Sequence, residues 1–364
     1  MFSREDLHTP LDFAKAACDT LMHKFAAPDL PPKGCFHYHA GVFLSGMQKT
    51  WHLCKEQKYF DYAKEWVDSV ISEEGVPNHY DHQSMDDFMA GFLLFDLYEA
   101  TGDEKYLKCL NLLMKNMREY PRTAEGGHWH KGHFPNQMWL DGLYMGGPIC
   151  VRYGAVFQQP CYFDTAINQA QLMEKNTIDE KTGLLYHAFD YSREAEWADP
   201  VTGKSPEFWG RSIGWVPVAL LDELDYIPKT YFQREKVEKM VKSLLMALIP
   251  FQDDETGLWY QVVNKGGEEG NWLETSCSCL YVAGLCKAVR TGLLDRKYLK
   301  YALKGYEGVI SRLKYNDAGL IIDNVCIGTG VGDYKHYCER PTSENDLHGA
   351  GAFILMCQEV QQVI

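Results

Sequence analysis

Positive charge is scarce in this sequence: 36 Lys and Arg stand against 50 Asp and Glu, leaving a net charge of −14 over 364 residues. Such a field repels polyanions, which argues against a nucleic-acid or anionic-membrane partner. Long apolar runs are missing too, so no membrane span is expected. The opening MFSREDLHTP is acidic where a secretion signal would be basic and then apolar, and the expectation is a cytoplasmic protein. Twelve cysteines occur, yet none has C-x-x-C spacing; the nearest pair is Cys277 and Cys279. Cys109, Cys150, Cys286 and Cys357 sit on apolar helical faces and read as reduced small hydrophobes rather than a disulfide framework. Extended β patterns are absent as well.

What is present is a large apolar stock, 46% hydrophobic against 24% charged, enough for a sizeable core. It is laid out as a repeat. Loops centred on glycine recur in SEEGVPNHYDH, AEGGHWHKGH, DEKTGLLYHAFD, DDETGLWYQVV and YNDAGLIIDN. Their key glycines are Gly75, Gly127, Gly183, Gly257 and Gly319, separated by 52, 56, 74 and 62 residues. Amphipathic segments at helical spacing lie in pairs between the loops: 41–55 with 59–72, 86–100 with 104–117, 138–157 with 161–177, 212–226 with 231–249, and 273–290 with 295–313. A helix at 11–25 and another at 343–361 make twelve. Hairpins of this kind cannot bury both faces alone, so they stack. An open solenoid satisfies that need; a closed all-α toroid satisfies it better, because a helix at each end lets the ring shut. Residues 1–364 therefore read as one (α/α)6 barrel with short strands in the inter-hairpin loops.

Chemistry-bearing residues gather in and after those loops. In NQMWLDGLYMGGP, Asp141 is wedged among Trp139, Leu140, Leu143 and Met145. A helix cap is one reading, since Asp starts helices well. The other is a general acid whose pKa the apolar flank raises. Asp86 opens the first helix of the preceding unit, with Asp87 beside it as a competing cap. Arg211, between Trp209 and Trp215 in FWGRSIGW, suits a substrate carboxylate or a structural ion pair. His187 in LLYHAFD is a sugar-hydroxyl partner or a satisfied loop histidine. Aromatics among carboxylates and an arginine are the composition of a carbohydrate site. HWHKGH invites a zinc reading, but its spacing lacks the H-E-x-x-H helix geometry and cysteine ligands, so no metal is expected.

Taken together, HWHKGHFPNQMWLDGLYMGGP, LLYHAFD, EFWGRSIGWVPVALLDELDYIP, NWLETSCS and ENDLHGAGAFILM resemble the unsaturated rhamnogalacturonyl hydrolases, glycoside hydrolase family 105. The similarity runs from about Tyr38 to the C-terminus, with the motifs in family order. It implies an (α/α)6 barrel that removes the 4,5-unsaturated galacturonyl residue from pectin-derived oligosaccharides without a metal or organic cofactor. It implies Asp141 as general acid/base and Asp86 as the second active-site carboxylate. Tyr38, His130, Lys131, Met145, His187, Trp209, Arg211 and Trp215 fall on its substrate-binding positions. The partner is then a small unsaturated oligosaccharide, met by a monomer or weak homo-oligomer. Unsaturated glucuronyl hydrolysis, a sugar epimerase or isomerase on the same toroid, and a non-catalytic sugar-binding protein are the alternatives.

Overall fold

The computed structural model describes residues 7–80 and 83–364; Asp81 and His82, which end the first glycine loop, and residues 1–6 lie outside the described residues. Thirteen α-helices are present among them: α1 (Pro10–Lys24), α2 (Tyr38–Cys54), α3 (Gln57–Val70), α4 (Leu93–Thr101), α5 (Glu104–Glu119), α6 (Asp141–Val156), α7 (Cys161–Thr177), α8 (Gly210–Leu224), α9 (Arg234–Leu248), α10 (Thr275–Arg290), α11 (Leu299–Ser311), α12 (Tyr334–Cys338) and α13 (Leu347–Gln361). All twelve expected helices exist, and α12, a single turn and a half, is the one that periodicity could not show.

Six of these elements form an inner ring. Each packs on the next in the order α2, the Met85–Phe92 3₁₀ segment leading into α4, α6, α8, α10, α13 and back to α2. The outer layer is α3, α5, α7, α9 and α11, each against its own inner partner, while α1 pairs with α13 and completes the sixth hairpin. The ring is closed, as the helices at the two ends led one to expect. Burial follows the layers. Every residue of α8 is buried, whereas α9 buries Val237, Met240, Val241, Leu244, Leu245 and Leu248, a stripe at helical spacing facing inward.

Inner helices touch neighbours on all sides, so they need small residues at crossings. A Cβ on Gly351 of α13 would fall 2.7 Å from the Val42 carbonyl oxygen of α2. The segment expected as a helix over 86–100 begins instead as 3₁₀ turns, a narrower winding packed against both α2 and α6; a Cβ on Gly41 of α2 would fall 2.9 Å from its Ala90 Cα.

The glycine loops run from each outer helix to the next inner one, so they gather at the end of the ring where inner helices begin. Gly75, Gly183, Gly257 and Gly319 have positive φ; in the second loop that role belongs to Gly126 rather than Gly127. Short strands do accompany these loops. β1 (Gln137–Trp139) pairs antiparallel with β2 (Ala188–Asp190), β3 (Lys314–Asn316) with β4 (Gly319–Ile321), and β5 (Val325–Cys326) with β6 (Thr342–Ser343). No helix among the described residues is long and apolar enough to cross a membrane. The twelve cysteines are unpaired thiols, with Cys109, Cys150, Cys286 and Cys357 buried as expected.

Candidate active site

The beginnings of the inner helices converge on a cavity of about 650 Å³. Tyr38 opens α2, Asp86 the 3₁₀ segment, Asp141 α6, and Trp209 and Arg211 stand at the start of α8; all line the cavity with His130, Lys131, Met145 and Trp215. Nine of the ten residues singled out in the sequence thus line one cavity. The tenth, His187, does not line it: its side chain is fully buried behind Asp141.

Neither carboxylate is used as a cap. Asp141 is the first residue of α6, and its side chain makes no cap bond there. The 3₁₀ segment is capped by Ser84, whose hydroxyl accepts the Asp86 N–H at 3.2 Å. Both side chains are left available to the cavity, the condition a reactive group needs.

Strand pairing explains the neighbour of Asp141. Trp139 lies opposite Ala188 in the β1–β2 register, and the Leu140 N–H donates to the His187 carbonyl at 3.0 Å. The pairing brings His187 Nε2 to 3.1 Å from Asp141 Oδ2. On the far side of the ring, His187 Nδ1 lies 2.7 Å from the Tyr337 hydroxyl, which itself accepts the Gly332 N–H at 3.2 Å. One proton arrangement satisfies the chain: Gly332 donates to Tyr337, Tyr337 to Nδ1, and Nε2–H to the Asp141 carboxylate. Tyr337 gave no sequence signal, because its partner is 150 residues away.

The charge state of Asp141 departs from expectation. Burial pushes its carboxyl upward, as the apolar flank implied, but the His187 hydrogen bond and the charges of His187, His130 and Arg211 outweigh it. The carboxyl is held below its ordinary value. His130 is itself lowered by burial, partly countered by Asp86 and Asp141, so its ring tends to be neutral and its pull on Asp141 fades near neutral pH. The lasting influences are the His187 hydrogen bond and the permanent charge of Arg211.

Arg211 is committed differently from the expected uronate clamp. Its two terminal nitrogens donate to the Cys326 and Ile327 carbonyls at 2.6 and 2.8 Å, and the guanidinium lies over Trp209, 4.5 Å from the ring centre. It therefore fastens the segment whose residues 328–331 form one wall. Lys131 keeps more freedom: its Nζ is 3.3 Å from Asp86 Oδ2 and 5.8 Å from the Trp139 ring centre. His130 stacks on Trp139 at 4.4 Å and points Nε2 at Asp86 Oδ1, 3.5 Å away. Trp209 stacks on Tyr337 and Trp215 on Tyr144, fixing the aromatic walls.

The three histidines of HWHKGH do not form one ligand set. His128 bonds the Met117 carbonyl, His130 faces Asp86, and His133 lies at the cavity wall. Three other potential ligands approach one another within 4.8 Å, His39, Asp346 and His348. They are already engaged: His39 Nε2 with Tyr38 at 2.7 Å, His348 Nε2 with the Cys326 carbonyl at 3.1 Å, and His348 Nδ1 with Asp346. Sequence reasoning also passed over Trp197 and the 328–331 wall, neither of which carries a periodic or motif signal.

A closed ring of six helical hairpins with two uncapped carboxylates in an aromatic cleft defines a six-hairpin glycosidase. The chain belongs to glycosyl hydrolase family 88, whose model matches residues 13–364. It is 28% identical over 301 residues to an unsaturated rhamnogalacturonyl hydrolase of Bacillus subtilis, YesR, covering 80% of this chain and 79% of that one. It is 31% identical over 230 residues to the protein Atu3128 of Agrobacterium fabrum, 59% of this chain and 97% of the relative. A solved family 105 glycoside hydrolase from C. acetobutylicum matches with a TM-score of 0.91 at 34% identity, over 95% of this chain and 98% of that one. An unsaturated glucuronyl hydrolase specific for heparin shares the fold at 16% identity and a TM-score of 0.70, covering 97% of this chain and 96% of that one.

Proposed function

We propose that this glycosidase removes a 4,5-unsaturated galacturonyl residue from the non-reducing end of pectin-derived rhamnogalacturonan oligosaccharides, by hydrating the C4=C5 double bond. The observation that carries this reading is the pair Asp141 and Asp86, both free of capping duty and both open to one aromatic-walled cavity. The named activity of the Bacillus relative supports the choice of substrate.

The unsaturated ring is a vinyl ether, so displacement at the anomeric carbon is not required. Asp141 gives its proton to C4; the double-bond electrons form the new C–H bond and leave oxocarbenium-like charge at C5 and the ring oxygen. The Asp141 carboxylate then takes a proton from a water that adds to C5. The hemiketal opens, the remaining saccharide leaves, and Asp141 ends as it began, protonated. Asp86 holds a ring hydroxyl and stabilises the passing positive charge. Lys131, with donors to spare, binds the uronate, and Arg211 contributes its charge from behind the wall.

The lowered pKa of Asp141 is compatible with this role. A uronate brings a second negative charge beside it, and like charge favours the protonated acid. The substrate thereby helps to load its own acid. A reducing compartment suits the twelve unpaired thiols, and the cytoplasm is the expected place of action.

The deciding measurement is loss of the ultraviolet absorbance of the conjugated double bond with lyase-generated unsaturated disaccharides, galacturonyl and glucuronyl. Faster loss with the galacturonyl compound is expected; no loss with either would defeat the reading.

A further inference from the structure

Trp197 is the tryptophan that the fold does not use. Trp139, Trp209 and Trp215, in the same cavity, are each stacked on another ring. Trp197 is half-buried, makes no ring contact or hydrogen bond among the described residues, and is not packed against either core cluster. It stands between two cavities and lines both: the 650 Å³ cavity of Asp141 and a second of about 580 Å³. The second cavity continues past it to Tyr186, Asp179, Glu180, Asp199 and Lys204.

The loop that carries Trp197 is built to stay where it is. Asp190, the last residue of β2 and only 1% exposed, anchors it. Its Oδ1 accepts the Ser192 N–H at 2.9 Å and hydroxyl at 2.7 Å; its Oδ2 accepts the Glu194 and Ala195 N–H groups at 2.9 and 2.8 Å. The return of the loop is tied to the same strand, by Asp190 N–H to the Gly203 carbonyl and Ser205 N–H to the Ala188 carbonyl, at 2.8 and 2.9 Å. Since β2 pairs with the strand that leads into Asp141, the indole is held in a fixed relation to the catalytic carboxylate. An ordered, unpartnered aromatic face beside a cleft is what a sugar ring stacks on, and its order lowers the entropic cost of binding.

We propose that Trp197 is the platform over which a longer oligosaccharide leaves the first cavity, and that the second cavity holds a neutral sugar of its reducing-side chain. This rests on the oligosaccharide hydrolase reading above. The choice of a neutral sugar follows from charge. Three carboxylates, Asp179, Glu180 and Asp199, line the second cavity against one cation, Lys204, whose Nζ is already bonded to the Ile178 carbonyl; Asp179 Oδ2 and Asp199 Oδ1 also accept from Thr182 and from Val201 and Thr202, but the negative charge of all three remains. Carboxylates accept sugar hydroxyls and repel a second uronate.

The test compares kcat/KM for an unsaturated disaccharide and an unsaturated tetrasaccharide of the same linkage pattern. The wild-type enzyme should favour the tetrasaccharide by about tenfold, equivalent to one good stacking contact. In W197A that ratio should fall to about one, mostly through the KM for the tetrasaccharide. A198W, which fills the second cavity while keeping the platform, should lower the ratio as well, and thermal melts of both variants establish that they are folded. A wild-type ratio near one, or a ratio unmoved in both variants, overturns the proposal while leaving the hydrolase reading intact. Turnover of neither saccharide by the wild type overturns both.

Discussion

The two ends of the ring use the same residue type in opposite ways. Where the inner helices begin, Asp141 and Asp86 face histidines and an open cavity, with Lys131 as the one close lysine. Where they end, two aspartates are saturated with cations, while buried Glu223 beside them has none and is pushed toward its protonated form by burial and by Asp222. Asp222 of α8 is bound by Lys49 of α2 at 2.8 Å and by Lys287 of α10 at 2.5 Å, and Asp96 of α4 by Arg152 of α6 and by His52 at 2.9 Å. Helix dipoles contribute to the contrast: N-termini favour an incoming anion at the mouth, and C-termini favour lysine and arginine at the floor. A carboxylate that is fully paired fastens helices together. One that is partly paired, by hydrogen bonds that a substrate can rearrange, is available for reaction.

The contrast can be broken at either end. The largest effect is expected for Asp141→Asn, which should lower kcat by about 10²–10⁴-fold with the fold intact. More than about a hundredth of wild-type activity would remove Asp141 from its assigned role. Asp222→Asn should act on stability instead. It leaves Lys49 without its carboxylate and Lys287 with Asp225 alone, at a cost of about 3 kcal/mol in denaturant unfolding, while kcat of the folded fraction stays near wild type. A loss of kcat without a loss of stability would erase the distinction between the two ends.

Smaller effects sharpen it. Tyr337→Phe keeps the buried ring and removes the hydroxyl that holds His187 Nδ1. A loss of roughly fivefold in kcat, about one hydrogen bond, is expected, together with a displaced acid limb of the pH–rate profile. An unchanged profile would mean that the tyrosine only fills space. The smallest effect is on acid stability. Asp222 is subject first to burial, which raises its pKa, but Lys287 and Lys49 overcome this and hold it well below the usual range; for Asp96 burial is likewise overcome by His52 and Arg152, which leave its carboxyl below the ordinary value. Groups depressed in the folded state contribute stability that is complete above the unfolded carboxylate value, about 4, and is lost as pH falls through the folded values. Unfolding free energy should therefore decline below about pH 4, and less steeply in Asp222→Asn; equal slopes would deny Asp222 that contribution.

Much of this was legible in the chain. Helical spacing and recurrent glycines located twelve helices, because those signals are local and the hairpins repeat. Asp141 and Asp86 were found for the same reason, standing at equivalent helix starts. The flank of Asp141 was legible, but the sign of its pKa shift was not: the lasting groups that reverse it, His187 just before β2 and Arg211 of α8, lie 46 and 70 residues further along the chain. Arg211 looked like a ligand for a carboxylate because its partners, two backbone carbonyls after residue 325, have no side-chain signature. Trp197 sits in a loop without period, where an aromatic residue has no pattern to betray it.

The place of α13 in the ring also governs the order of assembly. α13 is an inner helix, between α10 and α2, yet it follows every other inner element in the chain. Until it emerges from the ribosome the nascent molecule is an arc of five staves with a gap, and the apolar flanks of α2 and α10 stand open on either side. No early, local nucleus can shut that gap, since its two sides are separated by most of the chain. The ring therefore shuts only once α13 has been made, and a chain that stalls before Leu347 leaves two exposed faces for a neighbouring copy's α13 to fill.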